Sequence, residues 1–165
     1  MNRKWNFLLL SALVAATLVV GVDYDAIQSQ TASYDSGDIA WMVVASAFVL
    51  LMTPGLAFFY GGMVNKKNVI STMLQSFVAL GVISVVWVAV GFSLCFGDSI
   101  GGIIGDPRTY LAFRGVGLVP NGDFAETIPF LLFALFQLKF AIITPALITG
   151  SFAGRIRFRA YILFM

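Results

Sequence analysis

One stretch decides the fold: residues 39–63 read IAWMVVASAFVLLMTPGLAFFYGGM and contain no charged residue. A helix that spans a bilayer needs about 20 consecutive apolar residues, so this stretch is long enough to cross a membrane. A turn with two lysines, Lys66 and Lys67, follows it, and a second uncharged run occupies residues 69–96. Together the two runs and the short basic turn predict a transmembrane helical hairpin.

The composition extends this conclusion to the whole chain. Hydrophobic residues make up 59% and charged residues 11% of the sequence, whereas about 25% of the residues of soluble domains are charged. The net charge of +2 is too small to indicate nucleic acid binding. Histidine is absent and Cys95 is the only cysteine, so the sequence offers no zinc motif, disulfide or histidine-dependent catalytic group. We therefore expect a membrane protein that is not an enzyme and has no cofactor.

Two further apolar segments complete the predicted fold. One covers residues 128–151, interrupted by a single charge at Lys139, and the other begins at about residue 160 and reaches the last residue, 165. We expect residues 97–127 to form an aqueous loop with one short helix, because glycine and proline interrupt any periodicity there. The predicted fold class is all-α, a polytopic helical membrane protein. Polar side chains within its spans, such as Gln75 and Ser76, are expected to find hydrogen-bond partners on other helices.

The first 22 residues have the layout of a secretory signal, with Arg3 and Lys4 before an apolar run. A retained signal anchor is the alternative, because no clean Ala-x-Ala cleavage site ends the run. We favour cleavage, which makes residues 23–38 an extracellular polar segment.

The distribution of charge predicts the topology. All eight acidic residues lie before the first span or between the second and third, whereas Lys66, Lys67, Arg155, Arg157 and Arg159 lie beyond the opposite ends of the spans. The positive-inside rule places the basic turns in the cytoplasm. We expect a multi-pass protein of the cell membrane with its mature amino terminus outside.

Three motifs resemble those of the Amt/Mep/Rh family of ammonium transporters. Residues 52–68 read MTPGLAFFYGGMVNKKN, residues 136–158 read FQLKFAIITPALITGSFAGRIRF, and Trp87 precedes GFSLCFG at residues 91–97. The resemblance covers residues 39–165. It implies an ammonium-transporter-like fold of eleven spans in two inverted repeats around a pore, and a chain truncated within the first repeat. It also implies ammonium or ammonia as substrate, assembly as a homotrimer in the full-length protein, and a cytoplasmic regulatory protein as a candidate partner.

The resemblance assigns the substrate-binding role to two phenylalanines, Phe136 and Phe140. They lie four residues apart, so their rings share one face of a helix. Aromatic faces attract cations, although the alternative is that both rings only pack against other helices. Gln137, Lys139 and Trp87 are candidates for pore-lining or structural roles.

Two positions depart from the family motif. Lys139 stands in an apolar span where family members carry an apolar residue, and its charge predicts repulsion of a passing cation; the alternative is that it turns toward a carbonyl or carboxylate between helices. Gly154 stands where the motif has glutamate, which predicts a more flexible loop before the fourth span.

Transport of ammonium or ammonia through a hydrophobic pore with an aromatic gate is the function that this pattern favours. Two alternatives remain: an ammonium sensor with the same architecture, and a degenerate membrane subunit that conducts nothing.

Overall fold

The computed structural model describes Ser11 and residues 33–165. Apart from Ser11, the predicted signal segment, residues 1–22, therefore lies outside the described residues, as does most of the polar segment after it. Within residues 33–165 the chain forms five α-helices, a two-stranded antiparallel sheet and three short helical turns. The elements are α1 (Ser36–Met63), a 3-10 turn (Lys66–Asn68), α2 (Val69–Val86), a π-helical turn (Trp87–Gly91), α3 (Phe92–Phe96), β1 (Ser99–Ile100), β2 (Ile104–Gly105), a second 3-10 turn (Leu111–Phe113), α4 (Phe130–Phe152) and α5 (Phe158–Phe164).

Three of the described helical segments are long and apolar enough to cross a membrane: Ser36–Met63 with 28 residues, Lys66–Phe96 with 31, and Phe130–Phe152 with 23. The middle one joins α2, the π-helical turn and α3 without a break. The predicted fold class, an all-α polytopic protein, is confirmed by these helices. α4 begins directly after Pro129, whose carbonyl accepts hydrogen bonds from Leu132 N at 2.9 Å and Phe133 N at 3.2 Å, as expected where proline precedes a first helical turn.

The chain divides into two packing units. The first contains residues 85–134 and the described residues before Gly37. Its loop carries one short 3-10 helix at Leu111–Phe113, as expected for residues 97–127, and a β-hairpin in which Ile100 pairs with Ile104, which was not expected. Aromatic side chains from the loop pack onto the helix ends and fix a conformation that periodicity does not reveal.

Phe92 is the centre of this aromatic cluster. It is fully buried, and its ring lies 5.5 Å, centroid to centroid, from those of Tyr110, Phe113 and Phe130. The neighbouring Ser93 hydroxyl donates to the Asp106 carbonyl at 2.7 Å and accepts from the Tyr110 amide at 2.9 Å. The buried Ser93 hydroxyl thus forms hydrogen bonds with two main-chain groups of the loop, and the aromatic rings beside it exclude water. Burial raises the pKa of the Tyr110 phenol above its ordinary value.

The second unit contains residues 37–84 and 135–165, in which α1 and α4 approach closely. The Tyr60 hydroxyl donates to the Leu147 carbonyl at 2.9 Å. A Cβ atom built on Gly150 would lie 2.7 Å from Tyr60 Cζ, well inside van der Waals contact. Glycine at position 150 therefore makes the room that the tyrosine ring occupies.

A buried polar contact links α2, α4 and α5 in the same unit. The Tyr161 hydroxyl donates to the Gln75 carbonyl at 3.2 Å, and Thr149 Oγ1 lies 3.4 Å from the same hydroxyl. Among the described residues, however, the buried side-chain atoms Gln75 Oε1 and Ser76 Oγ have no hydrogen-bond partner. The expectation of interhelical partners is therefore not met for these two atoms within the described residues.

We predict that Gly150→Ala destabilises the chain by about 1–3 kcal/mol, since the added methyl overlaps the Tyr60 ring. That ring cannot move aside without losing its hydrogen bond to Leu147. Thermal unfolding of the detergent-solubilised protein measures the effect. Gly81→Ala is the matched control, because a Cβ there meets nothing within 4 Å. Equal losses in the two variants would contradict close packing at Gly150.

Candidate functional site

The candidate site is a pair of rings on α4. Phe136 and Phe140 lie four residues apart, and their ring centroids are 5.1 Å apart at an interplanar angle of 74°. This edge-to-face arrangement aims the positive edge of one ring at the negative face of the other. Phe136 is half-buried, whereas Phe140 is 45% exposed. The pair therefore leaves aromatic surface open to a ligand or to a further helix.

The position of the pair along α4 follows from the sequence. Phe136 lies six residues after Phe130, where the helix begins, which is about 9 Å along the axis. Phe136 therefore lies in the third of the helix nearest to the acidic loop, and Phe140, one turn further along, lies close to its middle. The Phe140 carbonyl accepts from Thr144 Oγ1 at 2.9 Å, so a polar side chain one turn further along bonds to the main chain of its own helix.

Gln137 and Lys139 are both half-buried on the same helix. Residues 127–154 contain no charge other than Lys139. Among the residues that the structure describes, no carboxylate forms an ion pair with its ammonium group. A charge near the middle of a span costs at least about 2.5 to 3.5 kcal/mol, so Lys139 is an expensive residue whose counter-charge is not found in this part of the chain.

Trp87 belongs to the other packing unit and lies at the start of the π-helical turn. It is 7% exposed, and its indole N–H donates to the Ala134 carbonyl at 3.2 Å. Its ring packs at centroid distances of 5.8 Å from Phe92 and 6.3 Å from Phe96. These contacts favour the structural role over the pore-lining role among the two that the sequence offered for Trp87.

Sequence reasoning missed the aromatic cluster around Phe92. A signal was present: Phe92 and Phe96 are four residues apart and Phe130 and Phe133 three apart, which places each pair on one helix face. The rings that complete the cluster, Tyr110, Phe113 and Phe124, come from irregular chain that has no period to read. Among Ser11 and residues 33–165 there is also no group of three or more potential metal-ligating His, Cys, Asp or Glu residues.

These helices and the site on α4 define a class, the helical membrane proteins with several spans, and comparison with known proteins identifies the family within it. The model of the Ammonium Transporter Family matches residues 40–165. The chain is 48% identical over 143 residues to the ammonium transporter of Mycobacterium tuberculosis strain H37Rv, covering 79% of this chain and 30% of that protein. It is also 48% identical over 134 residues to the ammonium transporter of Aquifex aeolicus, covering 81% and 31% respectively.

Solved structures of Mep2 proteins are also similar to this chain. The crystal structure of Saccharomyces cerevisiae Mep2 matches with a TM-score of 0.67 and 32% identity, covering 80% of this chain and 29% of that one. A Mep2 mutant, delta442, from Candida albicans matches with a TM-score of 0.69 and 27% identity, covering 88% and 36%. The chain belongs to the ammonium transporter family. It spans about 30% of the length of the curated relatives that it matches.

Membership of this family confirms the resemblance drawn from the three motifs. The relatives are named transporters, not enzymes, which agrees with the expectation that the chain is not an enzyme. None of the comparisons assigns a role to Phe136, Phe140, Gln137, Lys139 or Trp87, which remain predictions.

We predict that Trp87→Phe destabilises the chain by about 1 kcal/mol, because it keeps an aromatic ring but removes the hydrogen bond to the Ala134 carbonyl. In a chain of this size such a loss lowers the melting temperature by about 2–4 °C. Trp41→Phe is the control, since Trp41 is 73% exposed. If both variants melt with the wild type, the Trp87 hydrogen bond contributes nothing to stability.

Proposed function

We propose that the chain supplies three spans and the outer aromatic site of an ammonium transporter. The observation that carries the proposal is the edge-to-face pair of Phe136 and Phe140 on a helix apolar enough to cross a bilayer. The names of the matched relatives support ammonium or ammonia as the substrate. Because the chain covers about 30% of those relatives, a complete pore also needs residues from outside the part that aligns with this chain.

The physical role of the rings follows from their electrostatics. The face of a phenylalanine ring attracts a cation by roughly 0.5 to 2 kcal/mol and offers nothing to an anion. Beyond the rings, the remaining residues of α4 up to Thr149 are apolar apart from Gln137, Lys139 and Thr144. An apolar passage disfavours the charged form of the substrate and lowers its pKa, so loss of a proton and passage of neutral ammonia become favourable.

Uptake of labelled methylammonium tests this proposal. Residues 40–165 replace the corresponding part of the mycobacterial relative, and the chimaera is expressed in cells that lack their own ammonium transporters. We expect saturable uptake that falls in the Phe136→Ala and Phe140→Ala variants, because each removes one ring of the pair. Uptake by the chimaera that is unaffected by either substitution would contradict the assigned role of the rings.

A non-conducting membrane subunit is the second candidate, and the half-buried charge of Lys139 within an apolar span is the observation that favours it. Methylammonium uptake by cells that express the chimaera, with and without Lys139, separates the candidates. A chimaera that inserts into the membrane and takes up methylammonium only when Lys139 is replaced supports the non-conducting subunit. An ammonium sensor, the third candidate, has no observation of its own in these residues.

We predict that Lys139→Met in the chimaera raises methylammonium uptake, because it removes a cation that repels the substrate. The rise is about tenfold for each ~1.4 kcal/mol of repulsion that is removed. Lys139 follows Phe136 by three residues and precedes Phe140 by one, so its charge lies near the route assigned to the cation. Lys139→Arg keeps the charge and should keep the low uptake. Equal uptake in all three proteins would show that Lys139 does not obstruct.

The charge distribution supports the location that we propose. The protein lies in the cell membrane with Lys66, Lys67 and the three terminal arginines in the cytoplasm and the acidic loop outside. Assembly as a homotrimer and a regulatory protein at the cytoplasmic face belong to the same proposal, and they rest on the family resemblance alone.

A further inference from the structure

One side of α4 carries an exposed stripe. Phe140, Thr144, Leu147 and Ser151 are all exposed, and they follow one another at steps of four, three and four residues. Such steps return to the same side of a helix. Most of the residues between them are buried, and Ile143, for example, is 4% exposed. The stripe therefore begins at a ring of the candidate site and continues along the helix.

Thr144 is the first polar side chain of the stripe, one turn beyond Phe140. Its hydroxyl donates to the Phe140 carbonyl at 2.9 Å, a bond that threonine commonly forms within a helix. A hydroxyl group has one hydrogen and two lone pairs, so this bond uses its only hydrogen. Toward the exposed side, Thr144 Oγ1 can therefore only accept hydrogen bonds.

An acceptor beside an aromatic ring determines which small ligand fits there. The face of the Phe140 ring attracts cations, and the oxygen of Thr144 accepts from N–H donors. An anion finds no donor in this hydroxyl, and an apolar group leaves its lone pairs without a partner. Ammonium complements both groups, because it carries a positive charge and offers only N–H donors. Ammonia that forms from it still has N–H donors for the same oxygen.

The ring and the hydroxyl are close enough to share one ligand. Phe140 and Thr144 are one helical turn apart, which is about 6 Å along the axis and about 40° around it. A cation is attracted within about 6 Å of a ring centroid, and a hydrogen bond to oxygen spans about 3 Å. A small ion can therefore reach the hydroxyl before it leaves the ring.

Thr149 shows that the same hydrogen bond does not by itself make such a site. Its Oγ1 donates to the Pro145 carbonyl at 2.9 Å, as Thr144 does to Phe140. Thr149 is fully buried, however, and its Oγ1 lies 3.4 Å from the Tyr161 hydroxyl. It follows Phe140 by nine residues, which places it on the opposite side of α4. Thr149 therefore packs between helices, whereas Thr144 is open to a ligand.

We propose that Thr144 Oγ1 is a substrate contact beyond the aromatic pair, where it accepts an N–H group of the substrate and sets the preference for ammonium over methylammonium. This inference rests on the proposed function and deepens it. An apolar passage alone favours methylammonium, whose methyl group replaces one N–H donor and is cheaper to transfer out of water. An acceptor opposes that preference.

Competition between ammonium and trace labelled methylammonium tests the proposal in the chimaera. T144V removes the hydroxyl and keeps the branched shape, whereas T144S keeps the hydroxyl. We expect the ammonium concentration that halves methylammonium uptake to rise about tenfold or more in T144V, which is the loss expected for one hydrogen bond to a charged group. T144S should remain close to the wild type.

T149V is the matched control, since it removes the same group from the buried side of α4 and should keep the wild-type response. A second measurement does not depend on conduction: it is the rise in the melting temperature of the purified chimaera when ammonium chloride replaces sodium chloride, because a ligand that binds the folded state stabilises it. T144V should reduce this rise, and T149V should not.

The variant F140A distinguishes failure of this inference from failure of the proposed function. If F140A weakens both ammonium responses and T144V weakens neither, Thr144 only packs against a further helix, and the inference is overturned while the proposed function stands. An equal effect of T149V and T144V would overturn the inference as well. A wild-type chimaera with neither ammonium-sensitive uptake nor stabilisation by ammonium would overturn both.

Discussion

The structure depends on one constraint: a main chain in hydrocarbon must satisfy its own amides and carbonyls, because no water is present to do so. The apolar runs around residues 39–63, 69–96 and 128–151 can meet this requirement as helices, and the chain forms three helical segments there. Charges are almost confined to the segments between them. Lys139 is the only charged residue within the three runs. Its charge is costly because no water is present in the hydrocarbon to solvate it.

The same constraint governs the side chains that join the helices. Three aromatic donors each bond to a main-chain carbonyl on another helix: Tyr60 to Leu147, Trp87 to Ala134 and Tyr161 to Gln75. A helix carbonyl retains a lone pair after accepting its main-chain bond, so it can also accept from a side-chain donor without breaking the helix. Aromatic side chains suit this role because they combine a large apolar surface with one polar atom. Such contacts also need space, and the absence of a side chain at Gly150 leaves room for the Tyr60 ring that carries the donor.

Much of the fold was predictable from the sequence. The length of an apolar run and the positions of the charges indicate whether a segment lies in lipid or in water. The fold class and the family, which rested on three motifs, are confirmed. The loop was not predictable: Phe113 and Phe124 join the aromatic cluster through contacts distant in sequence, and no local pattern predicts the β-hairpin at Ile100 and Ile104. The left-handed conformation of Gly154, with φ +74°, was not predicted, and the more flexible loop expected there stays a prediction.

The candidate site was predictable in part. Helical spacing alone brings Phe136 and Phe140 together, and their edge-to-face contact follows from it. What surrounds these rings does not follow from spacing, because it depends on tertiary packing, and this chain spans about 30% of the length of the curated relatives that it matches. The half-buried position of Lys139 was equally hidden, since the sequence shows a charge in an apolar run but not the direction in which it points.

The central claim is that the three apolar segments cross a bilayer, with the acidic loop on one side and the basic turns on the other. Cysteine labelling tests it most directly, in a Cys95→Ser background with single cysteines at Asp98 or Arg157, both of which are exposed. Membrane-impermeant reagent added outside intact cells should label Asp98→Cys alone, and Arg157→Cys should react only after the membrane is opened. Labelling of both positions from the same side would contradict the account.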